Sequence, residues 1–282
     1  MLLEVLADTL LDCIKMLPFL LAAFFILELL EHYSGDKMNR ALGKVGKAGP
    51  AVGALLGCIP QCGFSVVAAN LYSGGVITMG TLLSVFLATS DEALLILMGH
   101  PGQGESIFTI IAAKVAIALA AGYLIDLIFP PAKQNKKDMD QICADCGCHN
   151  HKKGSVAKAA LNHTLRIFVY ILVFTLILNL AIQVLGVEGL SAYLLGDSLF
   201  QPLIAGVIGM IPNCAASVIL TELYLSGAIS FASVISGLCT GAGIGLVVLF
   251  KMNRNKKENF KILGLLYGIS AAAGILLEIA MR

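Results

Sequence analysis

Charged side chains are scarce in this sequence of 282 residues: Asp, Glu, Lys and Arg make up 13% of it, whereas 58% of the residues are hydrophobic. Water-soluble domains carry roughly 25% charged residues, so most of this chain cannot cover a water-exposed surface. The net charge of +1 and the lack of a basic surface interleaved with aromatic residues argue against a nucleic-acid partner. The composition therefore predicts an all-α integral membrane protein that contacts the lipid bilayer.

Further absences narrow the function. The nucleotide-binding loop Gly-x-x-x-x-Gly-Lys-Ser/Thr does not occur, so ATP is not expected to be the direct energy source, and no cofactor is expected. The first apolar run, Leu10 to Leu30, contains Asp12 and Lys15 and lacks a basic leader and a cleavage site, which predicts a membrane helix and not a signal peptide. The cysteines are divided between apolar segments and one hydrophilic loop, which is not the distribution of a disulfide scaffold.

Two short stretches that interrupt the apolar runs resemble each other: residues 57–65, GCIPQCGFS, and residues 209–217, GMIPNCAAS. The similarity continues at the same offset of 152 positions, without a gap, to the last apolar segment of each half. The matched pairs include Pro50/Pro202, Gly57/Gly209, Pro60/Pro212, Cys62/Cys214, Ser65/Ser217, Gly75/Gly227, Gly122/Gly274 and Asp126/Glu278. The chain therefore contains an internal repeat, predicted as residues 1–129 and 161–282 on either side of a hydrophilic linker at 130–160.

Proline and glycine interrupt the segment from Gly49 to Leu71, so one straight helix is not expected there. If this segment enters the membrane and returns as a hairpin, the Lys-rich loops at 36–47, 133–158 and 251–261 all lie in the cytoplasm, as positively charged loops usually do. Each half then makes an odd number of passes. The sequence thus predicts two inverted five-segment repeats, each with a Pro-broken helical hairpin, which is the plan of secondary transporters.

The candidate substrate site consists of polar residues and thiols in and after the two interrupted hairpins. The ends of half-helices direct partial charges at the middle of the membrane. Amide, hydroxyl and thiol groups there supply hydrogen-bond donors and acceptors. The predicted substrate-binding residues are Gln61, Cys62, Ser65, Asn70, Asn213, Cys214, Ser217 and Glu222. Thiols suit a soft substrate, whereas a hard cation such as Mn(II) prefers carboxylates, Asn70 and backbone carbonyls.

Two acids, Asp91 and Glu92, lie inside the next apolar span, where ionised carboxylates are costly and usually functional. They are predicted to couple transport to protons. The equivalent stretch of the second repeat, residues 240–243, has glycines in place of acids. Lys114 is expected either to extend to the membrane surface or to neutralise one of these two acids.

The hydrophilic linker contains a cluster of soft and borderline metal ligands. Thiolate and imidazole groups together suit Zn(II) or Cu(I), although their spacing matches no standard zinc module. The candidate metal ligands are Cys143, Cys146, Cys148, His149 and His151. A linker that is simply rich in Cys and His is the competing interpretation.

The Gly-x-Ile-Pro-x-Cys hairpin in each half, together with the Cys/His-containing linker, resembles the ten-helix heavy-metal exporters known as arsenic efflux permeases. Some members of that family are labelled manganese transporters. The resemblance covers almost the whole chain outside 130–160 and implies a multi-pass efflux permease of the bacterial inner membrane, with arsenite or an organoarsenical as substrate. The family motif falls on Pro60, Gln61, Cys62 and Ser65, and on Pro212, Asn213, Cys214 and Ser217.

Two alternatives stay open, and a third is not expected. A manganese or other divalent-cation transporter would use Asp91, Glu92 and Glu222, and a membrane metal sensor would use the Cys/His loop. An enzyme with Cys62 as nucleophile would need a nearby base, for which no intramembrane histidine is available, so an enzyme is not expected. The sequence leaves homo-oligomerisation undecided.

Overall fold

A computed structural model of the chain describes residues 48–59, 63–89, 91–99, 104–129 and 200–281, together with isolated positions between 10 and 25 and between 161 and 177. The described residues form helices and no strand. In the first repeat the helices are α1 (Gly49–Gly57), α2 (Gly63–Ser73), α3 (Met79–Ala88), α4 (Asp91–Gly99) and α5 (Gly104–Ile128). In the second repeat they are α6 (Gln201–Gly209), α7 (Cys214–Leu225), α8 (Phe231–Thr240), α9 (Ile244–Met252) and α10 (Lys256–Met281).

The two sets of helices have the same residue types at equivalent helix starts and turns. A proline occupies the first turn of α1 and of α6, where its missing N–H costs no helical hydrogen bond. The turn after α2 contains Gly75 at φ 69°, and the turn after α7 contains Gly227 at φ 74°, a left-handed conformation that glycine adopts without strain. The sequence repeat is therefore also a repeat of helix order and of turns.

The same polar contact anchors the start of α3 and the start of α8. Thr78 caps α3 and donates to Asp126 Oδ2 at 2.7 Å, while Ser230 caps α8 and donates to Glu278 Oε2 at 2.6 Å. Asp126 Oδ1 also accepts the Gly80 N–H at 2.8 Å. An acid at a helix N-terminus satisfies unpaired N–H groups and the positive end of the helix dipole, which explains why an acid recurs at this position.

Helices α1 and α3 run side by side in the same direction. A Cβ atom on Gly53 would lie 2.9 Å from the Thr81 carbonyl oxygen, and one on Gly57 would lie 2.6 Å from that of Val85. Because α1 and α3 start at the same level, the chain must reverse between them, and α1 and α2 form a helical hairpin. The second repeat does the same, since Gln201 at the start of α6 accepts from the Ser230 N–H at 2.9 Å.

The second arm of each hairpin packs against the other repeat. Helix α2 packs against α9, and α7 packs against α4. At the first of these contacts, a Cβ atom on Gly245 would lie 2.8 Å from Ser65 Oγ. The two repeats are therefore joined through one shared interior.

Helices α3, α8 and α9 form the centre of the molecule, and α5 and α10 flank it. Among the described residues, three stretches are long and apolar enough to cross a membrane: Glu105–Ile128, Phe231–Met252 and Lys256–Met281. In the second stretch, 89% of the most apolar 18-residue segment is buried inside the molecule. In each of the other two stretches, 28% of that segment is buried. Large apolar side chains such as Phe108, Leu127 and Leu276 are exposed, as expected of a lipid-facing surface.

The interruptions lie where polar residues and glycines predicted them. The span from Val76 to Met98 divides after Ala88, and the equivalent span divides between Thr240 and Ile244. The apolar run from Ile262 to Ile279 predicts a last span of that length, but α10 begins at Lys256. The prediction was too short because Asn255 Oδ1 accepts from the Glu258 N–H at 3.4 Å, and this polar first turn extends the helix beyond its apolar part. Pro60 lies outside the described residues, and Pro212 lies in the bend between α6 and α7.

The contact between α6 and α8 depends on the absence of a side chain at Gly209. A Cβ atom there would overlap the Gly237 carbonyl oxygen and lie 2.8 Å from its carbon. We expect Gly209→Ala to lower the free energy of unfolding by about 1–3 kcal/mol, measured by thermal unfolding in detergent. Gly264→Ala on α10, where no described residue lies within 4 Å, is the control. Equal stability of the two variants would contradict the close contact.

Candidate functional site

Each hairpin tip touches the helix interruption of its own repeat. A Cβ atom on Gly57, at the end of α1, would lie 3.2 Å from the Thr89 backbone nitrogen, where α3 ends. In the second repeat, a Cβ atom on Gly241 would lie 3.7 Å from the Gly209 carbonyl oxygen. Backbone interruptions are therefore paired within each repeat, at the level where two half-helices end.

Lys114 connects these two regions. Its side chain is 0% exposed and donates from Nζ to the Thr89 carbonyl oxygen and, at 2.8 Å, to that of Leu238. Both carbonyls belong to the last turn or the cap of an interrupted helix, where no helical N–H is available to them. The expectation that Lys114 extends to the membrane surface is therefore wrong, because the ammonium is held at the buried ends of α3 and α8.

The equivalent position in the second repeat carries no charge. Leu266 lies there, also 0% exposed. The interruption of the second repeat, between α8 and α9, contains a glycine in an unusual backbone conformation. Gly243, which caps α9, has φ 54° and ψ −143°, a region that glycine adopts readily. The two repeats thus share a scaffold and differ in the chemistry at its centre.

Asp91 and Glu92 are the first two residues of α4. Their backbone lies just beyond Thr89, whose carbonyl binds Lys114, and the N-terminus of a helix stabilises negative charge. The positions of their side chains are outside what the structure describes. Neutralisation of Lys114 by one of them stays a prediction.

Two cysteines without a repeat equivalent, which the sequence favours as packing residues, lie close to Lys114. Cys58 is half-buried and donates from Sγ to the Ala54 carbonyl oxygen at 3.2 Å, whereas Cys239 is fully buried. Both cysteines are thiols and not part of a disulfide. Both lie within electrostatic reach of the Lys114 ammonium. Neither has a cysteine at the repeat-equivalent position, so the repeat pattern gave no signal for them.

The tip of the second hairpin contains the N-terminus of α7, which has a side-chain cap. Asn213 is 8% exposed, caps α7 and accepts from the Ala215 N–H at 3.3 Å. Cys214 is the first residue of α7, but its side chain is not described. Ser217 lies half-buried one turn further along, and its carbonyl accepts from Thr221 Oγ1 at 2.7 Å. Gln61 and Cys62, in the first tip, lie outside the described residues.

The remaining predicted site residues differ in burial. Ser65 is fully buried against Gly245, at the contact between the two repeats. Asn70 is 1% exposed, and neither its Nδ2 nor its Oδ1 atom has a hydrogen-bond partner among the residues that the structure describes. Glu222, its repeat equivalent, is exposed on α7. Buried amides are rarely left without partners, so Asn70 is the predicted site residue with the clearest unused binding capacity.

The Cys/His cluster of the linker, Cys143 to His151, lies outside the described residues. Within the part of the chain that is described, no three His, Cys, Asp or Glu side chains are grouped so that they could hold a metal ion. The described centre of the molecule is therefore composed of backbone groups, one ammonium, thiols and amides.

A family model described as "Putative, 10TM heavy-metal exporter" matches residues 1–188 and 133–253 of the chain. These two matches together extend over most of the sequence and include both hairpins. No curated protein and no solved structure matches the chain.

The unpartnered amide of Asn70 makes a testable prediction about stability. A buried polar group without a partner costs about 1–3 kcal/mol, so Asn70→Leu, which has a similar shape, is expected to raise the thermal unfolding midpoint of the ligand-free protein in detergent. Asn213→Leu is the control and should lower it, because the cap of α7 is lost at a cost of about 0.5–2 kcal/mol. A lower midpoint for Asn70→Leu would show that the amide has a partner in the ligand-free protein.

Proposed function

Because this chain belongs to the family of 10TM heavy-metal exporters, we propose that it is a secondary-active efflux permease for arsenite or an organoarsenical, coupled to protons. The observation that carries the proposal is the meeting of interrupted helices around Lys114, which joins the ends of α3 and α8. Broken backbone in a membrane protein is tolerated where it is buried in protein or lines a cavity. In secondary transporters such half-helix ends form the substrate site.

We propose that the two repeats are inverted relative to each other. Helix α2 must end at the level where α3 begins, and its Tyr72 hydroxyl donates to Glu258 at the start of α10. Lys261, also near the start of α10, lies 3.3 Å from the ring centroid of Phe129, just after α5. The start of α10 is opposite the start of α8, so these contacts support opposite orientations.

Helix lengths support the same arrangement. Helices α1 and α2 have 9 and 11 residues, which corresponds to about 14–17 Å at 1.5 Å per residue. That is roughly half of a ~30 Å hydrocarbon core. Each hairpin thus has the length to enter to the middle of the membrane and return.

The substrate proposal rests on the charges and thiols near the interrupted helices, in the middle of the membrane. A buried ammonium repels a bare divalent cation; two unit charges 4 Å apart interact by about 4 kcal/mol at an effective dielectric of 20. It does not repel a neutral metalloid hydroxide. Cys62 and Cys214, at equivalent positions in the sequence of the two repeats, are proposed as the thiols that hold a soft metalloid, with Gln61, Asn213, Ser65 and Ser217 as hydrogen-bonding groups.

Asp91 and Glu92 are proposed as the proton-coupling groups. They begin α4 next to the interruption that Lys114 binds, so a change in their charge acts directly on the contact between the repeats. The 130–160 linker is proposed to lie in the cytoplasm of a bacterium and to capture metal through its Cys/His cluster, with the permease in the inner membrane.

The thiol proposal predicts a difference between substrates. In proteoliposomes, Cys62→Ser combined with Cys214→Ser should reduce arsenite and organoarsenical flux by at least about tenfold, which corresponds to about 1.4 kcal/mol, and leave any Mn(II) flux unchanged. Cys13→Ser in the first apolar span is the matched thiol control. Arsenical flux at the wild-type level in the double variant would contradict the thiol site. Mn(II) flux that is lost in Asp91→Asn or Glu92→Gln would favour the divalent-cation alternative.

The inverted arrangement predicts which loops share a side. Single cysteines introduced into a cysteine-free variant at Ser73 and Lys257 should both react with a membrane-impermeant maleimide from the cytoplasmic side, because Tyr72 and Glu258 are in contact. A cysteine at Ser226, after α7, should react from the outside. Labelling of positions 73 and 226 from the same side would contradict inversion.

A further inference from the structure

We propose that Lys114 is a tethered cation that occupies a monovalent-cation site formed by the ends of the half-helices α3 and α8. Its ammonium binds the Thr89 and Leu238 carbonyl oxygens and is fully buried. This inference goes beyond the proposed function, since it concerns the ion that holds the two repeats together and not the exported substrate.

The charges support this assignment. The C-terminus of a helix carries about −0.5 of an elementary charge, so two such ends facing one point carry about −1 together. The ammonium of Lys114 has the opposite sign and binds both ends. The carbonyl of Leu238 is not used within the helix, because the Ala242 N–H donates to Thr240 and not to Leu238.

The ligands are those of a small monovalent cation. Half-helix C-termini and unwound backbone carbonyls coordinate Na⁺ in secondary transporters. Here the same kind of carbonyl pair is contributed by both repeats and is bound by a side chain of α5. The lysine thus supplies from within the chain the positive charge that a coupling ion supplies from solution.

The second repeat shows that the fold does not require a lysine at this helix position for packing. Leu266 occupies the equivalent place on α10 and is equally buried. Because the packing of α10 on α8 repeats that of α5 on α3, an apolar side chain fits this kind of position. The ammonium at 114 therefore serves the Thr89 and Leu238 carbonyl oxygens, one from each repeat, and not the packing of α5.

Removal of the side chain should uncover the site. We would purify wild-type protein, Lys114→Ala and Lys114→Met in detergent and measure thermal unfolding in NaCl, KCl and choline chloride at equal ionic strength, without substrate. In choline chloride, Lys114→Ala should unfold about 5–10 °C below wild type. In NaCl it should recover most of that loss in a saturable manner. Lys114→Met fills the space without charge and should be destabilised equally in all salts.

Leu266→Ala is the matched control. It removes a buried side chain of similar size at the equivalent position, so its unfolding temperature should fall by the same amount in every salt. Wild-type protein should show no preference among the three cations.

Several outcomes would overturn the proposal. They are an equal response of Lys114→Ala to all three salts, its failure to fold in any salt, and wild-type stability of Lys114→Met. Selective stabilisation of wild-type protein by Na⁺ would also overturn it, since the site would then lie elsewhere. Because no substrate is present, these results stand apart from success or failure of the arsenical flux assay.

Discussion

A helix that stops inside a membrane leaves carbonyl and amide groups that lipid cannot satisfy. The described part of this chain has four helix ends of that kind, after α1, α3, α6 and α8. The rest of the fold supplies what they need: a lysine from α5 for the carbonyls of Thr89 and Leu238, and an asparagine cap at the start of α7. Among the described helices, the interrupted α3, α8 and α9 lie at the centre, and the continuous helices α5 and α10 flank them.

The two repeats share the parts that position helices and differ in the parts that contact the centre. The cap-to-acid contacts of Thr78 with Asp126 and of Ser230 with Glu278 are equivalent in geometry. By contrast, buried Lys114 is matched by Leu266, and buried Asn70 by the exposed Glu222.

The sequence was sufficient to predict the repeat, the hairpins and the interruptions, because prolines, glycines and polar residues mark them at a fixed offset. It was not sufficient to predict which helices pack together. No local pattern records the pairing of α2 with α9, where Ser65 lies against Gly245, or that of α7 with α4. For the same reason, the partners of Lys114 and the nearness of Cys58 and Cys239 to it required coordinates. Gln61 and Cys62 stay predictions from their equivalence to Asn213 and Cys214.

The second arm of each hairpin packs against the other repeat, and this packing has a consequence for biosynthesis. Tyr72 and Glu258 are 186 positions apart, so α2 is inserted long before the helices that cover it are made. Until then, the buried hydroxyl of Ser65 and the amide of Asn70 face lipid or another protein, at a cost that polar groups in hydrocarbon always incur. The first half of this protein is thus a nascent chain that must be shielded in the membrane until its second half arrives.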